Sequence, residues 1–193
     1  MKRKELILLL IGFLFCQSGS AQNEYLMVID VQKKFYENTK LEQRANEMVQ
    51  NINSLIERFD PEKVIYVKAT AKTLIVSLNG IKSEAVFPAP ELDTELQVVN
   101  DQIFTKIEGS AFSVVKLNNL LQKRDVKKVT LVGLLAEKCV YKTAIDGIEK
   151  GYDIFIAKDA VLSKSASKKA KIFRKMTKKG VKIVPLEDLL KYD

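Results

Sequence analysis

The sequence predicts an α/β protein, a three-layer α/β/α sandwich on a mostly parallel sheet of six strands. Three observations lead there. Short apolar runs alternate with longer stretches whose apolar residues recur at helical spacing. No repeat, low-complexity stretch or interdomain linker interrupts that alternation. The 193 residues, 47% of them apolar, suffice for one domain with a full core. Alternating strands and helices imply parallel strands joined by right-handed crossovers, with helices on both faces.

The first 21 residues stand apart from this pattern. Lys2, Arg3 and Lys4 form a positive start, Leu6 to Phe15 an apolar run, and Gly19 and Ala21 suit cleavage before Gln22. The run is too short to span a bilayer, which takes about twenty residues. The expectation is an exported protein, periplasmic or secreted, with a signal peptide over 1–21, a mature domain over 22–193 and no membrane attachment after cleavage.

The domain opens with Tyr25 to Ile29, a continuous apolar run suited to a strand buried on both faces. Leu41 to Phe59 has apolar residues at helical spacing and is stopped by Asp60-Pro61. Val64 to Val67 is the second strand. Thr70 to Gln97, with Pro88 and Pro90, is expected to be irregular, a long excursion over the surface. Val98 to Thr105 follows as a strand, Ser113 to Lys123 as a helix, and Lys128 to Val132 as a strand ending at Gly133. Cys139 to Lys150 is a helix closed by Gly151. Asp153 to Ala157 is a strand, Ser167 to Lys179 a helix, Val181 to Val184 the last strand and Leu186 to Lys191 a short closing helix.

Composition excludes several kinds of chemistry. The chain has no His, which removes the commonest general base and metal ligand. Ser-His-Asp triads, zinc-protease helices and two-His iron sites cannot be built from it. Cysteines number two, and loss of residues 1–21 leaves Cys139 alone, so no internal disulfide is available. A single thiol is either a buried, inert side chain or one retained for reactivity. The formal charge of +8 falls to +6 when Lys2, Arg3, Lys4 and Glu5 leave. Much of the excess lies in the helix around Lys168 to Lys179, where it reads as a solvated basic face without the exposed aromatics of a nucleic-acid module.

In sheets of this kind the chemistry sits beyond the carboxyl ends of the strands. Asp30 ends the first strand, Lys106 follows the third, and Cys139 follows the fourth. All three can therefore share one rim. A helix N-terminus and a nearby ammonium both favour a thiolate at Cys139, with Asp30 orienting the lysine and handling protons. Each also has a plain structural alternative: a core thiol, a solvated lysine, a turn aspartate.

The segments around them resemble those of the isochorismatase-like cysteine hydrolases. Asp30-Val31-Gln32-Lys33-Lys34-Phe35 is similar to the family's opening Asp-x-Gln-x-x-Phe, and Lys106 through Ser110-Ala111-Phe112 to its Lys-x-x-x-Ser-Ala-Phe. Gly133 through Cys139-Val140 and Thr143-Ala144 resembles the nucleophile segment, and Gly151-Tyr152 with Lys158-Asp159-Ala160-Val161 continues the pattern. The ordered set spans most of residues 24–185. The resemblance implies a Rossmann-like sheet and a Cys139-Lys106-Asp30 triad in which Cys139 attacks a small amide-like substrate. It also implies a cis peptide bond at Leu134–Leu135, an oxyanion hole from the backbone N–H groups of Leu135 and Cys139, and a homo-oligomer.

Phe35, Lys68 and Tyr141 are candidate pocket residues by proximity to the motifs. The chain departs from the family in lacking the histidines of the metal-binding nicotinamidase branch, and in carrying Ala136 and Glu137 where Thr and Asp or Asn are usual. The expectation is therefore a hydrolase without metal or cofactor, acting on a small molecule. Its rivals are hydrolysis of a non-amide substrate, a non-catalytic exported binding protein keeping the fold, and a basic binder of anionic polymers.

Overall fold

The computed structural model describes residues 23–76, 82–191 and, within the hairpin strands at 72–84, the backbone only. The expected signal peptide lies outside the described residues.

The central sheet has six strands, all parallel: β1 (Glu24–Ile29), β2 (Val64–Ala69), β5 (Ile103–Lys106), β6 (Lys128–Leu134), β7 (Asp153–Leu162) and β8 (Lys182–Val184), in the order β5-β2-β1-β6-β7-β8. The expected fold class holds. β1 lies inside the sheet, and its side chains alternate between two cores. Tyr25, Met27 and Ile29 pack with α2 (Val115–Lys123), α3 (Tyr141–Glu149) and α4 (Ala166–Thr177). Leu26 and Val28 pack with α1 (Glu42–Ile56) and α5 (Leu186–Leu190) on the other face. A strand covered on both sides has no polar position to alternate, hence its unbroken apolar run.

Three expectations are corrected. The excursion after β2 contains an antiparallel pair, β3 (Lys72–Val76) and β4 (Lys82–Val86), held in register from Lys72↔Val86 to Val76↔Lys82. The third strand of the sheet begins at Ile103, not Val98, because the Asn100 amide turns back to donate to the Val64 carbonyl at 2.9 Å and the Gln102 amide donates to Glu62 at 2.8 Å. Those side-chain bonds tie the chain to the start of β2 and leave Val98 and Val99 outside the ladder, half exposed. β7 runs five residues beyond Ala157, since Val161 and Leu162 pair with Gly133 and Leu134 after extra residues in β7 shift the register between Leu131 and Gly133.

Candidate active site

Each of the three candidate residues sits at a carboxyl end of a strand. Asp30 directly follows β1 with φ 56°, a left-handed conformation that Asp tolerates better than most residues. Its N–H still bonds the Val67 carbonyl at 2.8 Å, so the turn begins before the β1–β2 ladder has ended. Lys106 is the last residue of β5, paired with Ala69 of β2. Cys139 lies in a turn of π-helix, Ala136–Val140, between β6 and α3. The expected helix from Cys139 is thus preceded by a wider turn, closed by Val140 N–H to the Leu135 carbonyl at 3.3 Å. Single π turns recur at functional sites because they re-aim a side chain. The Leu134–Leu135 peptide bond is cis, as the resemblance implies.

The topology brings the three side chains together. Lys106 Nζ donates to Asp30 Oδ2 at 2.9 Å and lies 3.4 Å from Cys139 Sγ. Asp30 and Lys106 are 3% and 2% exposed, whereas Cys139 is only partly buried, so the sulfur is the member that solvent or a ligand can reach. Among the described residues Asp30 Oδ1 is buried without a hydrogen-bond partner. A carboxylate oxygen in that position has an acceptor site open for a proton.

The electrostatics differ from the expectation of a preformed thiolate. Burial raises the Asp30 carboxyl above its ordinary range, against the pull of the Lys106 ammonium and the Cys139 thiol. Burial and the adjacent Asp30 carboxylate likewise push the Cys139 thiol up, with Lys106 opposing. One cation is shared by two acids, and a second anion in the same desolvated space is disfavoured. Burial thus favours the neutral form of both acids, and Lys106 is the charge that opposes it at each.

Side chains quoted in the motifs, but given no role by the sequence, hold the site in place. Gln32, fully buried, accepts from Ala69 N–H at 2.7 Å and donates to the carbonyls of Ala69 (3.0 Å) and Pro90 (2.7 Å). It clamps the end of β2, where Lys106 is registered, to the excursion that follows. Asp93 N–H bonds the Val31 carbonyl at 2.9 Å, and Tyr36 donates its hydroxyl to Asp93. Thr143, on α3 and buried, accepts from Ala111 N–H at 3.0 Å, tying the segment after Lys106 to the helix after Cys139. Polar residues at apolar-looking positions beside Asp30 and Cys139 are the signal that marks Gln32 and Thr143.

The departure residues are accommodated. Ala136 is fully buried in the core, and Glu137 accepts from Lys164 N–H at 3.1 Å. Burial works against Glu137 ionising, yet its own amide, the Lys164 amide, Ser163 and the charge of Lys168 hold it below the usual carboxylate range.

The three pocket candidates are not joined to the triad by any hydrogen bond among the described residues. Phe35 is 42% exposed at the end of a 3₁₀ turn, Lys68 pairs with Glu91 at 2.9 Å, and the Tyr141 ring lies 4.7 Å beneath Lys175 Nζ. A cavity of about 780 Å³ opens at the opposite end of the sheet beside Glu24 and Lys128. It is remote from the sulfur and plays no part in the chemistry derived below. Among the described residues no cluster of three or more Cys, Asp or Glu side chains could hold a metal ion, and no helix is long and apolar enough to cross a membrane.

The isochorismatase domain model aligns with residues 24–188, and the chain belongs to this family of hydrolases. It is 28% identical over 147 residues to the secreted isochorismatase effector Isc1 of Verticillium dahliae, an alignment covering 75% of each chain. Its fold is similar to an isochorismatase-like hydrolase from Alkaliphilus metalliredigens, with a TM-score of 0.70 and 16% identity over 88% of this chain and 97% of that one. It is also similar to a nicotinamidase/pyrazinamidase of Acinetobacter baumanii, with a TM-score of 0.69 and 21% identity over 88% and 99%.

Proposed function

We propose that this chain is a metal-independent cysteine hydrolase of a small amide-like substrate, with Cys139 as nucleophile, Asp30 as proton carrier and Lys106 as the fixed cation between them. The observation that carries this reading is the 2.9 Å and 3.4 Å reach of Lys106 Nζ to Asp30 and Cys139, beside Asp30 Oδ1, which has no hydrogen-bond partner among the described residues.

The raised thiol means that attack and deprotonation go together. Sγ forms a bond to the substrate's carbonyl carbon as its proton passes to Asp30, and the C=O pair moves onto oxygen. That oxygen would be held by the N–H groups of Leu135 and Cys139, worth about 3–4 kcal/mol per donor in a comparable hydrolase. Collapse of the tetrahedral carbon breaks the C–N bond, and protonated Asp30 returns its proton to the leaving nitrogen. Water then enters and gives a proton to Asp30 while its oxygen attacks the thioester carbon. Release of the carboxylic acid leaves the thiol protonated again. Throughout, Lys106 offsets the single negative charge as it moves from Asp30 through the reacting oxygen and back.

The secreted isochorismatase effector among the relatives favours a second reading, hydrolysis of a vinyl ether such as isochorismate, and supports export of this chain. One experiment separates these readings from a non-catalytic role. The purified protein and Cys139→Ala are assayed against a panel of small amides and against isochorismate, following amine and pyruvate release. Turnover of an amide that falls at least about a thousandfold in Cys139→Ala is expected. Turnover of isochorismate alone selects the second reading, and no turnover by the wild type across the panel selects the binding protein.

A further inference from the structure

Between Asp159 and Glu187 the chain carries nine cations and no acidic residue. Most of them belong to α4. That helix buries Met176 and packs Ile172 and Phe173 into the core, which leaves Lys168, Lys171, Arg174, Lys175 and Lys178 on the outside. The sequence reading of this face was a solvated one, but the structure gives it a shape. These five cations line a groove of about 510 Å³ whose one carboxylate is Glu137, from the turn that carries Cys139. Glu137 is already engaged by the Lys164 amide. Among the described residues none of the α4 cations has a carboxylate within 4.0 Å. Arg44 and Lys158 add positive charge near Lys169, against Asp159 alone.

We infer that this groove is a docking site for a linear acidic polysaccharide. Lys168, Lys171, Lys175 and Lys178 follow one another at intervals of three, four and three residues. They present about one cation per helical turn along roughly 15 Å, a row that suits an extended chain bearing a charge on successive sugars. Other polyanions fit less well. The aromatic rings nearby are occupied, Tyr141 beneath Lys175 and Phe173 beneath Lys169, so bases of a single-stranded nucleic acid find no free ring to stack on. A bilayer would need several apolar side chains to enter it, and the groove offers Ile172 alone, itself partly buried against the core. The site lies outside the Asp30-Lys106-Cys139 cluster, so its occupancy and the hydrolysis proposed above stand or fall separately.

The test is binding of the full-length protein to heparin across a salt series, read by affinity chromatography and calorimetry. Lys168→Gln, Lys171→Gln, Lys175→Gln and Lys178→Gln are combined in one variant. A control loses the same charge at exposed positions elsewhere, Lys33→Gln, Lys34→Gln, Lys116→Gln and Lys123→Gln. The groove variant should bind heparin at least about tenfold more weakly at physiological salt, with a log–log salt slope reduced by about three to four, one per lost contact. The control should change less than about twofold. Equal losses in both variants would reduce the effect to net charge and overturn the proposal, as would an unchanged groove variant. Tighter binding of oligothymidylate, or of phosphatidylserine vesicles, than of heparin through the same lysines would overturn the choice of polysaccharide. Unfolding midpoints are compared throughout, and Lys171→Glu with Lys178→Glu is the substitute should the fourfold variant fold poorly.

Discussion

At the residue scale, the decisive feature is that one ammonium serves two acids. Asp30 and Lys106 pull the Cys139 thiol in opposite directions, the carboxylate up and the ammonium down. Alkylation of Cys139 by iodoacetamide should therefore still be rising at a pH above the ordinary thiol value of about 8.5. Removing each charge moves the profile in opposite senses. Lys106→Gln should shift it to higher pH and slow the reaction at pH 8, whereas Asp30→Asn should shift it to lower pH and speed it. A shift in the same direction in both variants would mean that burial alone governs the thiol. The identity of the three residues was legible in the sequence, because each stands in a quoted motif at the end of a strand. Their electrostatics were not. Desolvation is the largest influence on both Asp30 and Cys139, and it depends on packing from β1, β5 and β6 at once, which no local pattern encodes.

At the element scale, β1 and β6 must approach closely for Asp30 and Cys139 to meet. Gly133 makes that possible. Its φ is 109°, and a Cβ built there would sit 2.1 Å from the carbonyl oxygen of Ile29, the residue before Asp30. Gly133→Ala should cost at least about 3 kcal/mol, the range of severe single substitutions, and abolish activity. Gly151→Ala provides the comparison, with φ 86° but nothing within 4 Å of the added carbon. It should cost about 1–2 kcal/mol, the ordinary penalty for a left-handed residue with a side chain. Denaturant midpoints of the two variants read the difference, and equal losses would remove the steric argument. The long helices and central strands were legible from periodicity because each buries a full face. The β3–β4 pair was not, although Asn79-Gly80 between its two strands is a hairpin dipeptide in the sequence. Pro88 and Pro90 give the surrounding stretch the composition of irregular chain and obscure that signal. The π turn at Cys139 is equally silent, since a single wider turn of five residues is too short to leave a period in the sequence.

At the scale of the whole molecule, the fold supplies stability without covalent help: two apolar cores lie on either side of the sheet, and Cys139 is free. The described fold begins with β1, which starts at Glu24 and pairs at once with β6, just after the cleavage point suggested by the charged, apolar and small-residue order of residues 1–21. Intact mass of the protein recovered from outside the cell should therefore correspond to a chain beginning at or near Gln22. Recovery of the full chain with Met1 from the cytoplasm would refute export. The homo-oligomer expected from the family is a proposal of the same kind, to be read from the mass of the native species in solution.

The position of Lys106 has a consequence for how this molecule fails. Asp30 and Cys139 come from neighbouring central strands, but their lysine arrives on β5, four residues long, at the edge beyond β2. Edge strands open at lower free energy than the centre of a sheet. Each such opening would withdraw the cation and leave acid and thiol facing each other without it, in a protein otherwise intact. Mild urea should thus silence the enzyme before it melts the helices, with the midpoint for activity below the midpoint for far-ultraviolet dichroism. On return to buffer, activity should reappear as fast as a single short strand can re-dock. Coincident midpoints would mean instead that β5 is as firmly held as the core.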